Sequence, residues 1–250
     1  MTKSMANCAQ SMVEKWTDII TKAETERNQP VEMEVSSHFL EMTADVISHT
    51  AFGSNYMKGK GVILAQKEQQ MLLFKSLLKV PFPGYKEEVI RECAHDVPTG
   101  DVLNKLKLVN MVLLEALRLY GPVVNLRRQA LQDLELGDLK VPKGTVLAIP
   151  VAILHRDKEL WGPDADKFNP VKFENGVNKA AKQPNALLAF SIGPRSCIGQ
   201  NFAILEAKIV VSLILQNFSL NISPNYVHAP IELITLQPKF GLPMNIKRLE

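Results

Sequence analysis

Apolar residues in the first half of the chain recur at helical spacing. Val13, Trp16, Ile19 and Ile20 share one stripe, and Asn28-Gln29-Pro30 predicts its end. Val35, Phe39, Met42, Val46, Ile47 and Thr50 form a second stripe that stops at Gly53. After a Lys/Gly-rich break, residues 63–79 read as a third amphipathic stretch, closed by Pro81-Phe82-Pro83-Gly84. A short helix is predicted from Lys86 to Cys93, then a turn over Val97–Gly100. Asp101 reads as the N-cap of one helix continuing to Tyr120, where Gly121-Pro122 ends it. The pattern then alternates from Leu134 to Ile149 around Gly137-Asp138 and Pro142-Lys143-Gly144, which predicts short strands and turns. A loop rich in Asp, Pro and Gly runs from Arg156 to Pro184, a last strong helix spans Gly199–Gln216, and short strands surround Pro224, Pro230 and Pro238. The result is a mainly α chain with a small β region.

Composition narrows the class of function. The 250 residues carry a net charge of +3 that is not gathered into a basic run, so nucleic-acid binding is not suggested. Cys8, Cys93 and Cys197 are far apart and odd in number. That is neither a disulfide framework nor a zinc pattern, and no disulfide partner is predicted. The chain has no apolar run near the roughly 20 residues that a membrane span needs. G-x-S-x-G and H-E-x-x-H are both missing, so hydrolase and metalloprotease readings find no support.

The most informative stretch is FSIGPRSCIG over residues 190–199. It resembles the haem-binding loop of cytochromes P-450: Phe190, Gly193, Arg195, Cys197 and Gly199 match the family pattern at its spacing. From average residue usage, those fixed positions arise by chance in such a chain with probability on the order of one in ten thousand. The resemblance implies that Cys197 is the axial ligand of haem b. A thiolate there is favoured by backbone N–H groups and by the positive end of the helix that follows. The glycines permit tight turns and close approach to a flat macrocycle, Arg195 suits a haem propionate, and Phe190 would shield the sulfur. The plainer alternative is an inert cysteine in a glycine-rich turn.

Three Glu-x-x-Arg pairs occur, Glu24/Arg27, Glu88/Arg91 and Glu115/Arg118. The first two read as solvated helical ion pairs. Glu115/Arg118, in LLEALRLYGPV before the strand-rich region, resembles the pair that braces the family's haem pocket. The resemblance also implies an arginine joining that pair from a later loop. Here FNPVKF over residues 168–173 puts Lys172 in its place, which keeps the charge but loses the planar fork. By the same likeness Arg128 would meet the second propionate, against the alternative of an exposed strand charge. Val123, Val124, Asn125, Ile234 and Thr235 would line a substrate pocket, against ordinary strand core. His155 matches too and is given a structural part.

The resemblance extends over residues 35–70 and 85–250, and is strongest to the plant clan that includes brassinosteroid- and cytokinin-modifying hydroxylases. It implies an incomplete P-450 fold: residues 1–84 as a helical fragment from the middle of the fold and 85–250 as the haem-binding half, one domain overall. The family's Ala/Gly-Gly-x-Asp/Glu-Thr motif, which supplies protons for oxygen activation, is not in the sequence, and the expected break falls at Pro83-Gly84-Tyr85. The family's N-terminal anchor, the β-rich region after it and the Trp-x-x-x-Arg haem-binding helix are likewise expected to be missing. The implied function is a haem-thiolate monooxygenase acting on a small lipophilic substrate, with NADPH electrons delivered by NADPH-cytochrome P-450 reductase. The alternative is a non-catalytic relative that binds haem weakly or not at all. The location the resemblance implies is the cytosolic face of the endoplasmic reticulum membrane; with no anchor in this chain, the cytosol is the alternative.

Overall fold

The computed structural model describes residues 2–27, 30–51, 83–94, 96–232 and 236–249. The stretch over 63–79, the stops at Gly53 and Pro81-Phe82, and Ile234 and Thr235 lie outside the described residues. The architecture is mainly helical with a small β part, as the pattern predicts.

Helix α1 (Thr2–Arg27) buries Met5, Ala9, Met12, Val13, Trp16 and Ile20 on one stripe. Helix α2 (Ser36–Ala51) buries Phe39, Met42 and Val46 on its own. Trp16 joins them: its ring meets Phe39 edge-on at 5.7 Å and Phe218 at 5.7 Å, and its Nε1 donates to His38 Nδ1 at 2.7 Å. Burying an aromatic of this size contributes several kcal/mol, so these contacts fix how α1 sits.

Between the two helices lies a strand that local pattern does not announce. β1 (Val31–Glu34) pairs antiparallel with β9 (Pro243–Arg248), which pairs in turn with β6 (Phe218–Ile222). Its signal is weak because it is four residues long and its partner lies at the far end of the chain. Glu34 secures the junction by accepting from Ser36 N at 3.0 Å, Ser37 N at 3.2 Å and Leu242 N at 2.8 Å. Burial opposes its ionisation, but these bonds hold its carboxyl below the usual value.

The predicted helix over 101–120 is two helices. Thr99 caps α4 (Gly100–Lys105), its hydroxyl accepting from Val102 N, and Asp101 sits inside the first turn. The chain breaks at Leu106 and restarts as α5 (Lys107–Tyr120). The second start is capped from another helix: Glu88, on α3 (Tyr85–Cys93), accepts from Leu108 N and Val109 N, both at 3.0 Å. Glu88 is therefore buried rather than half of a solvated pair, and the exposed Arg91 pairs with its half-buried neighbour Glu92 at 3.1 Å.

The strand-rich region forms as read. β2 (Leu126–Gln129) pairs with β5 (Val146–Ile149), and β3 (Leu134–Leu136) with β4 (Leu139–Val141). The loop over 156–184 contains α7 (Lys158–Trp161) after the short α6 (Val151–Leu154), and 3-10 turns at Pro170–Phe173 and Val177–Lys179. Helix α8 (Gln200–Asn217) is buried on every side from Glu206 to Gln216, which makes it the centre of the core. Residues of α1, α2, α5 and α8 share that core, and β7 (Pro230–Glu232) pairs with β8 (Leu236–Pro238) outside it. Among the described residues no helix is long and apolar enough to cross a membrane.

Candidate functional site

Cys197 sits in the turn that delivers the chain into α8. Its backbone N–H donates to Phe190 O at 2.8 Å, closing the 190–197 segment into a loop, and its carbonyl accepts from Gln200 N at 3.4 Å. Gly193 has φ of 72°, a left-handed backbone that suits glycine, and begins a 3-10 turn to Arg195. Gly199 has an ordinary φ of −88°, so the turn itself does not demand glycine there. A Cβ at Gly193 would meet nothing within 4 Å, and one at Gly199 would lie 3.8 Å from Cys197 Sγ. Space is open at Gly193, while a side chain at Gly199 would rest against the sulfur.

The three thiols differ in setting. Cys8 is half-buried, and burial, with Asp45 and Glu206 adding repulsion, pushes it up to about 11. Cys93 is buried and also raised, again first by burial. Cys197 is exposed. Arg195 and the apolar side chains of Ile192 and Ile198 are exposed beside it, while Phe190 is half-buried and packs on the main core. Arg128 is half-buried on β2 and donates through Nη2 to Ser191 Oγ at 2.8 Å. It is therefore tied to the cysteine loop rather than lying as a free strand charge. An exposed thiol, open space around it, neighbouring cations and an apolar rim are the donor set that a flat, dianionic haem requires.

Below the loop lies a buried polar network. Arg118 and Glu115 pair bidentately, Nε to Oε2 at 2.6 Å and Nη2 to Oε1 at 2.7 Å, with neither side chain exposed. Arg118 also donates to the carbonyls of His155, Ala165 and Lys167 at 2.5, 2.7 and 3.1 Å, and stacks over Trp161 at 5.1 Å. Every strong donor of this desolvated guanidinium is thus engaged, as burial demands. His155 Nε2 accepts from Leu188 N at 2.8 Å, so its proton is on Nδ1 and goes to Arg118 O, also at 2.8 Å. Burial lowers the imidazole to about 4, and it stays neutral. The histidine links α5 to the segment that leads into the cysteine loop.

Lys172 does not occupy the third place in this network. Its Nζ pairs with Asp164 Oδ1 at 2.5 Å and donates to Trp161 O at 3.1 Å. The place beside Glu115 is taken by a backbone group, Asn169 N, which donates to Oε1 at 2.7 Å. Asn169 Nδ2 also donates to Asp164 Oδ2 at 3.0 Å, so Lys172 is linked to Glu115 through two intermediaries.

Val123 and Val124 are half-buried and Asn125 exposed. Pro122 O accepts from Leu236 N at 3.0 Å, which draws this segment against β8. Sequence reasoning missed Ser191, whose positive φ of 59° has no local signal, and the buried cap Glu88. Glu206 carried one unused signal, a carboxylate within an apolar helical run.

These features define a class. A family model for cytochrome P-450 matches residues 83–244, and the chain belongs to the cytochrome P-450 family. It is 34% identical to cytochrome P-450 709B1 of Arabidopsis thaliana over 350 aligned positions, covering 100% of this chain and 67% of that protein. It is 51% identical to cytochrome P-450 CYP72A219 of Panax ginseng over 156 residues, 62% of this chain and 30% of the relative. It is 46% identical to an 11-oxo-beta-amyrin 30-oxidase of Medicago truncatula over 164 residues, 66% of this chain and 31% of the relative. The chain is shorter than these plant relatives and spans at most about two thirds of their length. In the first comparison 350 aligned positions face 250 residues, so about 100 positions of the relative have no counterpart here.

Proposed function

We propose that this chain binds haem b through Cys197 and is a truncated P-450 with little turnover of its own. The observation that carries the reading is the placement of Cys197: an exposed thiol at the entrance to an 18-residue helix, in a loop closed onto Phe190 O. Phe190, Gly193, Arg195, Gly199 and Arg128 would complete the haem contacts. The Glu115/Arg118 network would hold the loop in place through His155, with Lys172 bracing Asp164 behind it. Residues 1–84 and 85–250 then form one incomplete domain around a shared core.

When bound, the haem would supply the oxygen chemistry, with electrons passed from NADPH by the family's separate reductase. What the chain lacks is the proton supply opposite Cys197. About 100 positions of a relative are unmatched, and the Ala/Gly-Gly-x-Asp/Glu-Thr motif is missing from the 250 residues. Hydroxylation is the second reading, favoured by a match that runs through 100% of the chain. Its substrate would be small and lipophilic, drawn from the triterpene, brassinosteroid or cytokinin classes, and pass near Val123, Val124, Asn125, Ile234 and Thr235. The place of action would be the cytosolic face of the endoplasmic reticulum membrane or the cytosol.

The test supplies reductase and NADPH with a panel of triterpenes, plant hormones and fatty acids, and measures NADPH consumed against product formed. Product is expected to account for only a small part of the NADPH. Near-stoichiometric product would contradict the truncated reading and favour the monooxygenase.

A further inference from the structure

Ser191 is an unusual residue for its position. Its φ of 59° places it in the left-handed region, where glycine and, less often, asparagine or aspartate are favoured. It lies inside the loop that Cys197 N closes onto Phe190 O, and its own N–H donates to Leu188 O at 2.9 Å. A glycine would take up this turn with less strain, so the hydroxyl has to be explained. It accepts from Arg128 Nη2 at 2.8 Å, across 63 residues of sequence. Arg128 Nη1 donates to its own strand at Arg127 O, 2.9 Å away. Those bonds use two of the five guanidinium N–H donors, and among the described residues the other three have no protein acceptor.

We propose that Ser191 is a positioning residue that holds the Arg128 guanidinium at the edge of the Cys197 loop, with its remaining donors presented to a carboxylate of the bound haem. The proposal rests on the haem-binding reading above. A long arginine side chain loses much rotamer freedom on binding an anion. Anchoring it beforehand at both nitrogens, once to β2 and once to the ligand loop, removes most of that loss. The same bond ties the β2–β5 ribbon to the loop, so the cation and the sulfur keep a fixed relation to each other.

The test titrates the full chain with haem and with haem dimethyl ester, which lacks the carboxylates. Wild type is compared with Ser191→Gly, which removes the hydroxyl and suits the backbone, and with Ser191→Ala. Ser191→Gly should bind haem about tenfold more weakly, the scale of one charge-assisted hydrogen bond, and bind the ester as wild type does. Its haem-free melting temperature should be unchanged or higher. Unchanged haem affinity would overturn the proposal. Equal weakening toward haem and ester would also overturn it, since the role would then be loop packing. If wild type binds neither and shows no thiolate–carbon monoxide band, the haem-binding reading fails, and this proposal with it.

Discussion

Glu206 is buried within α8, and among the described residues its Oε1 has no hydrogen-bond partner at normal distance. Burial pushes its carboxyl from 4.5 up to about 8. The folded protein therefore keeps a proton there that the unfolded chain has released, and this contribution is full below pH 4.5 and lost as pH rises toward 8. At about 1.4 kcal/mol per unit, complete ionisation costs up to about 5 kcal/mol. His155 acts in the opposite sense. Its imidazole is lowered from 6.5 to about 4, so its contribution is full above pH 6.5 and lost as pH falls toward 4. The two slopes cancel between pH 4.5 and 6.5, and among the described residues Glu206 is the main contributor from there to pH 8. The melting temperature of wild type should fall between pH 6.5 and 8.5, and Glu206→Gln should flatten the decline. An equally steep decline in the variant would place the titrating group elsewhere. Lys172 gives a second residue-scale test. Lys172→Ala removes its bonds to Asp164 and Trp161 and should cost about 1–2 kcal/mol in urea denaturation. Lys172→Arg should bring no gain, because both oxygens of Glu115 are already engaged. A clear gain would mean that an arginine reaches the pair after all.

At the scale of elements, α5 carries the buried pair to which the cysteine loop is braced. Glu115→Gln leaves Arg118 desolvated and short of its counter-charge, which should destabilise the chain by about 3–5 kcal/mol. Chemical denaturation followed by circular dichroism would measure the loss; a cost below about 1 kcal/mol would mean that the pair is hydrated. Long helices and the cysteine loop were legible in the sequence because their signals are local: apolar spacing, glycine and proline stops, a five-residue pattern. What the sequence hid depends on distant partners. β1 is a strand because β9 pairs with it. The helix over 101–120 breaks at Leu106 and restarts under a cap from Glu88, about twenty residues upstream. Lys172 was read into the buried pair from the family resemblance, yet a backbone N–H of Asn169 fills that place and no side-chain pattern encodes it.

For the whole molecule, the chain joins segments distant in sequence into one core around α8, with the N-terminal helix α1 packed on it and the Cys197 loop at its entrance. That arrangement keeps the Cys197 loop, Arg128 and the Glu115/Arg118 network together, while about 100 positions of a matched relative have no counterpart. On the proposed function, ligation would draw on the loop, its arginines and the network beneath, and turnover would need further residues. The central claim is ligation by Cys197, and the most direct measurement is the absorption spectrum of the haem-reconstituted, reduced chain under carbon monoxide, for wild type beside Cys197→Ala. Wild type should show the red-shifted Soret band of a thiolate complex and the variant should lose it, whereas a variant that keeps the band, or a wild type that never forms it, would contradict the assignment.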